Sequence, residues 1–402
     1  MRRLLLLLPL LLSSSALACL NDRDSDSLAV QSARFPDTLR VITGRFERNP
    51  PLFYEMRIRR SLAQLKKNPR QFGLYDDIGV AFDRLHKGNE ALQIMAKKRA
   101  LLPPFDVKNP QIKEAWYRYY ANAGTFHAHR FLGAKSGNIR EMEKARNYIK
   151  RAMEIKPNAH FGREKYQLLA MEWILAVKTK KTKESLGTFL QRREGWMETG
   201  ASQEKERQAA VEGFSGLIVL GAAWQSVDVF EALSAALDSG SGVTLRHLAL
   251  RRGEEILKNG GRSLATPQVE DQHLQEMTLI SGSGEMGIGV NERNRKTLDE
   301  LFPRLRAEAD TWSGQRTAYM LSRLVKGRHP DTDATFWKEW KPAAPPSVNV
   351  AWFNQRHNSY NERETRQARG RAQLIGALLI LGGTVVTSLL TLRFVKRRRI
   401  AA

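Results

Sequence analysis

The stretch between Pro69 and Pro103 constrains the fold most, because it encodes two short helices in tandem. Its first half places apolar or small residues at spacings of three and four, which puts them on one face of a helix. Lys87-Gly88-Asn89 interrupts that helix, and a second apolar series begins at Ala91. A helix pair of this kind buries its apolar face by stacking on a neighbouring pair, so the pattern predicts an all-α fold.

This spacing resembles the tetratricopeptide repeat, a family of stacked helix pairs. In a first copy, at about 72–103, the matching residues are Tyr75, Ile78, Gly79, Phe82, Ala91, Met95 and Pro103. In a second copy, at about 126–159, they are Leu132, Gly133, Ala145, Ile149, Ala152 and Pro157. An insertion at 104–125 separates the copies and is expected to lengthen the first helix of the second pair.

Two further expectations and one departure come with this resemblance. Gly79 and Gly133 are expected to let paired helices approach closely. Lys98 departs from the family, which has alanine at the corresponding place. The resemblance also implies an α-solenoid that binds another protein in a concave groove lined by first-helix side chains. The charged and polar groove candidates are Asp76, Asp83, Arg84, His127, Arg130 and Asn138. The alternative for these side chains is solvent-facing charge without a partner.

Both ends of the chain indicate export and membrane attachment. Residues 1–18 combine two arginines, an apolar stretch and the small-residue site Ala16-Leu17-Ala18, the layout of a secretory signal peptide. Cys19 follows in a sequence similar to a bacterial lipobox, so simple cleavage and lipidation of Cys19 both remain open. Near the other end, 373–395 contain an uncharged apolar run long enough to cross a bilayer at about 1.5 Å per residue.

These segments predict a single-pass protein of the bacterial cytoplasmic membrane with an extracytoplasmic ectodomain. Basic residues flank the membrane helix on both sides, so the signal peptide decides the orientation and places the C-terminal tail in the cytoplasm. The predicted divisions after the signal peptide are a polar tail (19–49), a repeat domain (50–260), a helical extension with a glycine-rich loop (261–340), a Pro-rich linker with a basic stalk (341–372), the membrane helix (373–395) and a basic tail (396–402).

The polar N-terminal tail contains Asp22-x-Asp24-x-Asp26, a spacing that calcium-binding loops share. Such a loop also needs a glycine and a distal acidic residue, and those positions hold Ser27 and Ala33. The sequence therefore argues against a calcium loop and predicts a solvent-exposed tail.

The formal net charge of +23 over 402 residues favours an anionic partner. An exported domain rarely meets nucleic acid, so the expected partners are another envelope protein, anionic lipid or a cell-wall polymer. Cys19 is the single cysteine, which excludes an intramolecular disulfide and a thiolate zinc site. No metal or cofactor is expected.

The segment ISGSGEMGIG at 280–289 has the glycine spacing of a phosphate-binding loop. A dinucleotide site also needs parallel strands around the loop, and the flanking segments are predicted to be helical. The loop is therefore expected to be a connection between helices. An enzymatic alternative remains, because lytic transglycosylases are helical superhelices with one catalytic glutamate near a glycine-rich segment. Glu276 or Glu285 would be that acid here, although the Glu-Ser dipeptide of that family is missing.

The sequence thus favours a membrane-anchored scaffold without catalytic activity that binds another protein of the cell envelope. Cleavage of cell-wall glycan and binding of anionic lipid or polymer by the basic surface are the alternatives.

Overall fold

The computed structural model describes residues 20–25, 36–134, 137–157, 162–196, 201–237, 242–265 and 292–348. Within these ranges the chain forms twelve α-helices and one 3-10 helix and contains no β-strand, which confirms the predicted all-α class. The chain divides into two units, 1–350 and 351–402, and the described residues all belong to the first.

The first six helices are α1 (Thr38–Thr43), α2 (Pro51–Lys67), α3 (Phe72–Arg84), α4 (Gly88–Leu101), α5 (Pro110–Gly133) and α6 (Ile139–Ile155). The other six are α7 (Arg163–Lys178), α8 (Leu186–Arg193), α9 (Ala201–Val219), α10 (Val227–Ala236), α11 (Val243–Lys258) and α12 (Glu292–Leu324), with the 3-10 helix Ala223–Gln225 before α10. Local signals set several helix starts. Pro51 and Pro110 occupy the first helical turn, and the Asn109 side chain caps α5.

Helices α3 and α4 form an antiparallel pair. The Lys98 ammonium of α4 lies 2.7 Å from the Asp76 carboxylate near the start of α3, whereas Met95 contacts Gly79 one turn further along α3. A Cβ atom on Gly79 would lie 2.9 Å from Met95 Cε and 3.0 Å from Phe126 Cε2. The close approach predicted at Gly79 is therefore confirmed.

Helices α5 and α6 form a second antiparallel pair, but its register differs from the predicted one. Gly124 allows the close approach here, since its Cβ would lie 2.9 Å from Ile149 Cδ1 and 3.0 Å from the Ala145 carbonyl oxygen. Gly133 is exposed at the end of α5, so the role predicted for it is wrong. The reason is the length of α5, which has 24 residues against 13 in α3 and is followed by a longer connection.

Helices α3 and α5 run parallel, and each contributes polar side chains that meet the other. Asn122 of α5 donates to Asp76 near the start of α3, and His129 of α5 contacts Asp83 near the end of α3. The insertion at 104–125 supplies the first half of α5, which confirms that it lengthens this helix.

After α6 the pairing pattern changes. Arg163 and Tyr166 of α7 lie against Gly216 and Gly213 of α9, so α7 and α9 run antiparallel. Helices α9, α10 and α11 pack in succession. The N-terminal α1 contacts α9, α11 and α12, and α12 also packs on α2. The beginning and the end of the described chain are therefore in contact.

Several predicted segments lie outside the described residues. They are the signal peptide at 1–18, Cys19, the glycine-rich loop at 280–289 with Glu276 and Glu285, and the membrane helix at 373–395. Among the helices that the structure does describe, none combines the length and the apolar content that a membrane crossing needs.

Replacing Gly124 with alanine is expected to lower the free energy of unfolding by about 1–3 kcal/mol, because the new methyl group meets the backbone of α6. Gly314, inside α12, is the matched control. A Cβ there meets no atom within 4 Å, so Gly314→Ala is expected to stabilise by about 0.4–1 kcal/mol. Urea denaturation of the full-length chain measures both effects. Equal effects of the two substitutions would contradict the close packing of α5 on α6.

Candidate binding site

Helices α3, α5 and α7 direct buried polar side chains at one another, an arrangement that we call the polar face. It consists of Asp76, Asp83, Tyr117, Asn122, Thr125, His129, Glu164 and Gln167. On α5 three of these side chains recur at helical spacing, at Asn122, Thr125 and His129, so they share one side of the helix. Burying a polar group costs free energy unless it is hydrogen-bonded, so the hydrogen bonds on this face favour one geometry.

Hydrogen bonds connect the three helices across the polar face. They join His129 Nδ1 to Asp83 Oδ2 (2.7 Å), Gln167 Nε2 to Thr125 Oγ1 (3.1 Å), and the Tyr117 hydroxyl to Glu164 Oε1 (2.5 Å). The face is thus continuous from α3 through α5 to α7.

Asp76 lies on the polar face and pairs with the residue that departs from the repeat pattern, Lys98. The Lys98 ammonium donates to both Asp76 carboxylate oxygens at 2.7 Å, and both side chains are fully buried. Burial raises the pKa of Asp76 more than the Lys98 charge lowers it, and burial lowers the pKa of Lys98. The lysine therefore supplies a counter-charge that alanine could not provide.

The N-terminal residues 20–25, which we call segment 20–25, lie against this face. Leu20 is 2% exposed and packs in the apolar core formed by α2 to α6, and Asn21 is 1% exposed. Asp22 and Ser25 are also buried. The prediction of a solvent-exposed tail is therefore wrong for these residues, because the rest of the fold supplies partners for their polar groups.

Asn122 binds the main chain of segment 20–25. Its Oδ1 accepts a hydrogen bond from the Asn21 amide at 2.8 Å, and its Nδ2 donates to the Asn21 carbonyl oxygen at 2.8 Å. Both bonds go to backbone atoms, which every peptide offers at these positions except for the missing N–H of proline. The geometry is that of a clamp for a polypeptide backbone.

Arg57 of α2 binds the acidic side chains of the same segment. Its guanidinium donates to Asp24 at 2.9 Å, to Asp22 at 3.2 Å, and to Asp331 in the loop after α12 at 2.7 Å. Burial alone lowers the pKa of Arg57, but the hydrogen bonds and charges of these carboxylates outweigh burial and raise it. A buried arginine with several carboxylate partners is a strong and geometrically defined recognition site for acidic residues.

Arg23, in the segment itself, forms the opposite kind of contact. Its Nε donates to the Asp77 carboxylate of α3 at 2.8 Å, and its Nη1 lies 3.5 Å from Asp331. Segment 20–25 is therefore held at both signs of charge, because Arg57 binds its carboxylates and Asp77 and Asp331 bind its arginine.

Asp22 is the buried carboxyl with the clearest change in protonation behaviour. Its Oδ1 accepts hydrogen bonds from the amides of Asp24 and Ser25, and its Oδ2 accepts one from Arg57. Burial raises the pKa of Asp22 to about 7. The nearby charges of Asp24 and Asp77 also raise this pKa, whereas the Arg57 charge lowers it. This carboxyl therefore releases its proton at a higher pH than an exposed aspartate does.

The six groove candidates fall in three places. Asp76 and Asp83 lie on the polar face. Arg84 donates to the carbonyl oxygens of Leu220 and Gly221 at the end of α9. His127 and Arg130 both contact Glu141 of α6. The Asn138 side chain caps α6 by accepting a hydrogen bond from the Arg140 amide. The structure thus gives each candidate an intramolecular contact, and binding of a partner by them stays a prediction.

Sequence reasoning missed Asn122 and Arg57, the two side chains that hold the docked segment. Asn122 belongs to the insertion at 104–125, to which the repeat pattern assigns no groove position. A usable signal was present, since Asn122, Thr125 and His129 form a polar stripe in an otherwise largely apolar stretch of α5. Arg57 carried no comparable signal among the many arginines of this chain.

Within the described ranges, no group of three or more His, Cys, Asp or Glu side chains is arranged to hold a metal ion. Comparison with known proteins gives no match to a family model, to a curated protein or to a solved structure. The functional argument therefore depends on the geometry of the polar face.

Replacing Lys98 with methionine leaves the Asp76 carboxylate buried without its counter-charge and is expected to cost about 3–5 kcal/mol of unfolding free energy. The double variant Asp76→Asn with Lys98→Met removes both charges and keeps an acceptor for Asn122, so it is expected to recover at least half of the loss. Urea denaturation of both variants provides the comparison. A double variant as unstable as the single one would show that the two charges do not compensate each other.

Between about pH 4 and pH 7, folded Asp22 keeps a proton that the unfolded chain releases near its ordinary pKa of 3.8. This carboxyl therefore contributes stability at low pH that is lost as the pH rises through 7. Asp22→Asn removes the titration, so the unfolding free energy of the variant minus that of the wild type is expected to increase from pH 5 to pH 8.

The control for this measurement is Asp106→Asn, because Asp106 is exposed. Its difference from the wild type should stay constant over the same pH range. A constant difference for Asp22→Asn as well would contradict the raised pKa.

Proposed function

We propose that this chain is a membrane-anchored, extracytoplasmic helical-repeat scaffold, similar to tetratricopeptide solenoids, whose polar face binds a peptide segment of another envelope protein. The observation that carries the proposal is the pair of hydrogen bonds between the Asn122 side chain and the main chain of Asn21, one accepted and one donated by Asn122. Recognition through main-chain hydrogen bonds, with side-chain pockets on either side, is a recurrent mode of peptide binding.

The arrangement of the helices supports a repeat scaffold. Helices α3–α4 and α5–α6 are two successive antiparallel pairs, and their first helices run parallel to each other. In tetratricopeptide arrays the first helices line the binding groove, and here α3 and α5 contribute most of the polar face. Asp76, a groove residue by resemblance, contacts Asn122 directly.

The contacts of segment 20–25 indicate what a bound peptide must offer. Leu20 fills an apolar position, Asn122 holds the next peptide unit, and Arg57 binds the acidic side chains that follow. The ligand is therefore a segment with an apolar residue followed closely by Asp or Glu. Segment 20–25 occupies the face intramolecularly, and a partner segment of this chemistry competes with it.

The predicted signal peptide fits this competition. Its removal after Ala18 would leave segment 20–25 next to a free chain end. A segment near a chain end can leave the face without unfolding the helices that follow it.

A variant in which residues 20–25 are replaced by Gly-Ser pairs vacates the polar face and allows a direct test. A fluorescent peptide with the sequence LNDRDS is expected to bind this variant saturably in an anisotropy titration. Asn122→Ala in the same background removes both main-chain hydrogen bonds and is expected to weaken binding about tenfold or more. Asn147→Ala, at an exposed residue of α6, is the matched control and should leave the affinity unchanged.

Two results would contradict the proposal. One is equal affinity for the Asn122 and Asn147 variants, and the other is absence of binding to a vacated variant that circular dichroism shows to be folded. A vacated variant that does not fold is replaced by the unmodified chain. There, millimolar peptide should speed hydrogen exchange at the Asn21 amide, and no change would count against competition for the face.

The other hypotheses have less support. Glycan cleavage depends on Glu276 or Glu285, both outside the described residues. Binding of anionic lipid or polymer depends on the net charge of +23 alone. The peptide proposal has a specific geometry and is therefore preferred.

A further inference from the structure

Arg163, the first residue of α7, is a buried cation without a hydrogen-bond partner among the described residues. It is 1% exposed, and none of its three guanidinium nitrogens has a hydrogen-bond partner in the described part of the chain. A guanidinium stays protonated in proteins, so it cannot avoid this environment by losing its charge. Arg57, equally buried, has three carboxylate partners. The surroundings of Arg163 are therefore incomplete.

The side chain of Arg163 is nevertheless held in a defined position. Its stem crosses Gly216 of α9, where a Cβ atom would lie 2.3 Å from Arg163 Cδ. Glycine at this position is what allows the arginine to lie between α7 and α9.

The start of α7 adds a second positive element. No side chain caps this 16-residue helix, whose N-cap is Gly162 in the left-handed conformation. The N-terminal end of a helix favours anions through its free N–H groups and its dipole. The preceding residues 158–161 read Asn-Ala-His-Phe and contain no carboxylate, and Glu164 is hydrogen-bonded to Tyr117.

We infer that Arg163 and the N-terminus of α7 form a binding site for an oxyanion, a carboxylate or a phosphoryl group. A planar guanidinium binds two oxygens of such a group side by side, and the N–H groups at a helix N-terminus donate to an oxygen as well. The inference goes beyond the proposed function, since it requires neither Asn122 nor segment 20–25. Acidic polypeptides and phosphate-containing molecules both present this chemistry.

Thermal unfolding of the full-length chain, followed by tryptophan fluorescence, tests the site. Sodium phosphate and sodium acetate are titrated separately into a buffer that contains only chloride, with ionic strength kept constant. The unfolding midpoint of the wild type is expected to rise saturably by several degrees with one of the two anions. Saturation at a lower concentration of acetate than of phosphate identifies a carboxylate ligand. Saturation at a lower concentration of phosphate identifies a phosphoryl ligand.

Arg163→Met keeps the length of the side chain and removes its charge. In chloride buffer this variant is expected to unfold at or above the wild-type midpoint, because an uncompensated buried charge is gone. It should show no response to either oxyanion.

Arg316→Met is the matched control. Arg316 is buried as well but donates to the Arg48 carbonyl oxygen at 2.7 Å and to Asn49 at 3.1 Å. This variant should unfold at a lower temperature and keep the response to the oxyanion. The inference is overturned if neither anion shifts the wild type, if Arg163→Met keeps the response, or if Arg163→Met is destabilised as much as Arg316→Met.

Discussion

The buried guanidinium of Arg57 is the interaction on which the arrangement of the two ends depends. It joins segment 20–25, through Asp22 and Asp24, to the loop after α12, through Asp331. Asp331 alone would leave Arg57 with one of its three carboxylate partners, so docking of the segment completes the compensation of this buried charge. Helix α12 is in turn fixed against α1 and α2, since Arg316 donates to the Arg48 carbonyl oxygen.

The polar face illustrates why buried polar groups select a geometry more than they stabilise a fold. Buried hydrogen bonds and ion pairs contribute little net stability, because each group loses its hydration before it gains a partner. They do select one geometry, since any ligand that leaves Asn122 or Arg57 unpaired is disfavoured by the full desolvation penalty. Under the proposed function, the face would therefore discriminate among peptides by the polar groups that each peptide leaves unpaired.

The sequence was sufficient to predict helix pairing where the contacts are local and periodic. The pair α3–α4 and the close approach at Gly79 followed from residues three, four and sixteen positions apart. The register predicted for the second pair, with its close approach at Gly133, was wrong, because the longer α5 has its close approach at Gly124. The docked segment could not be foreseen at all. Asp22 and Asp24 read as solvated charge until Arg57 and Asp331, far away in sequence, are seen beside them.

Burial of Leu20 also bears on the two alternatives for Cys19. A lipid on Cys19 would begin one residue before a side chain that packs in the core of α2 to α6. Acyl chains must reach a bilayer, so lipidation would require either that the helices around Leu20 lie at the membrane surface or that segment 20–25 leaves the polar face. Cleavage without lipidation imposes neither condition. A lipid on Cys19 would therefore be compatible with intramolecular docking only at a membrane surface.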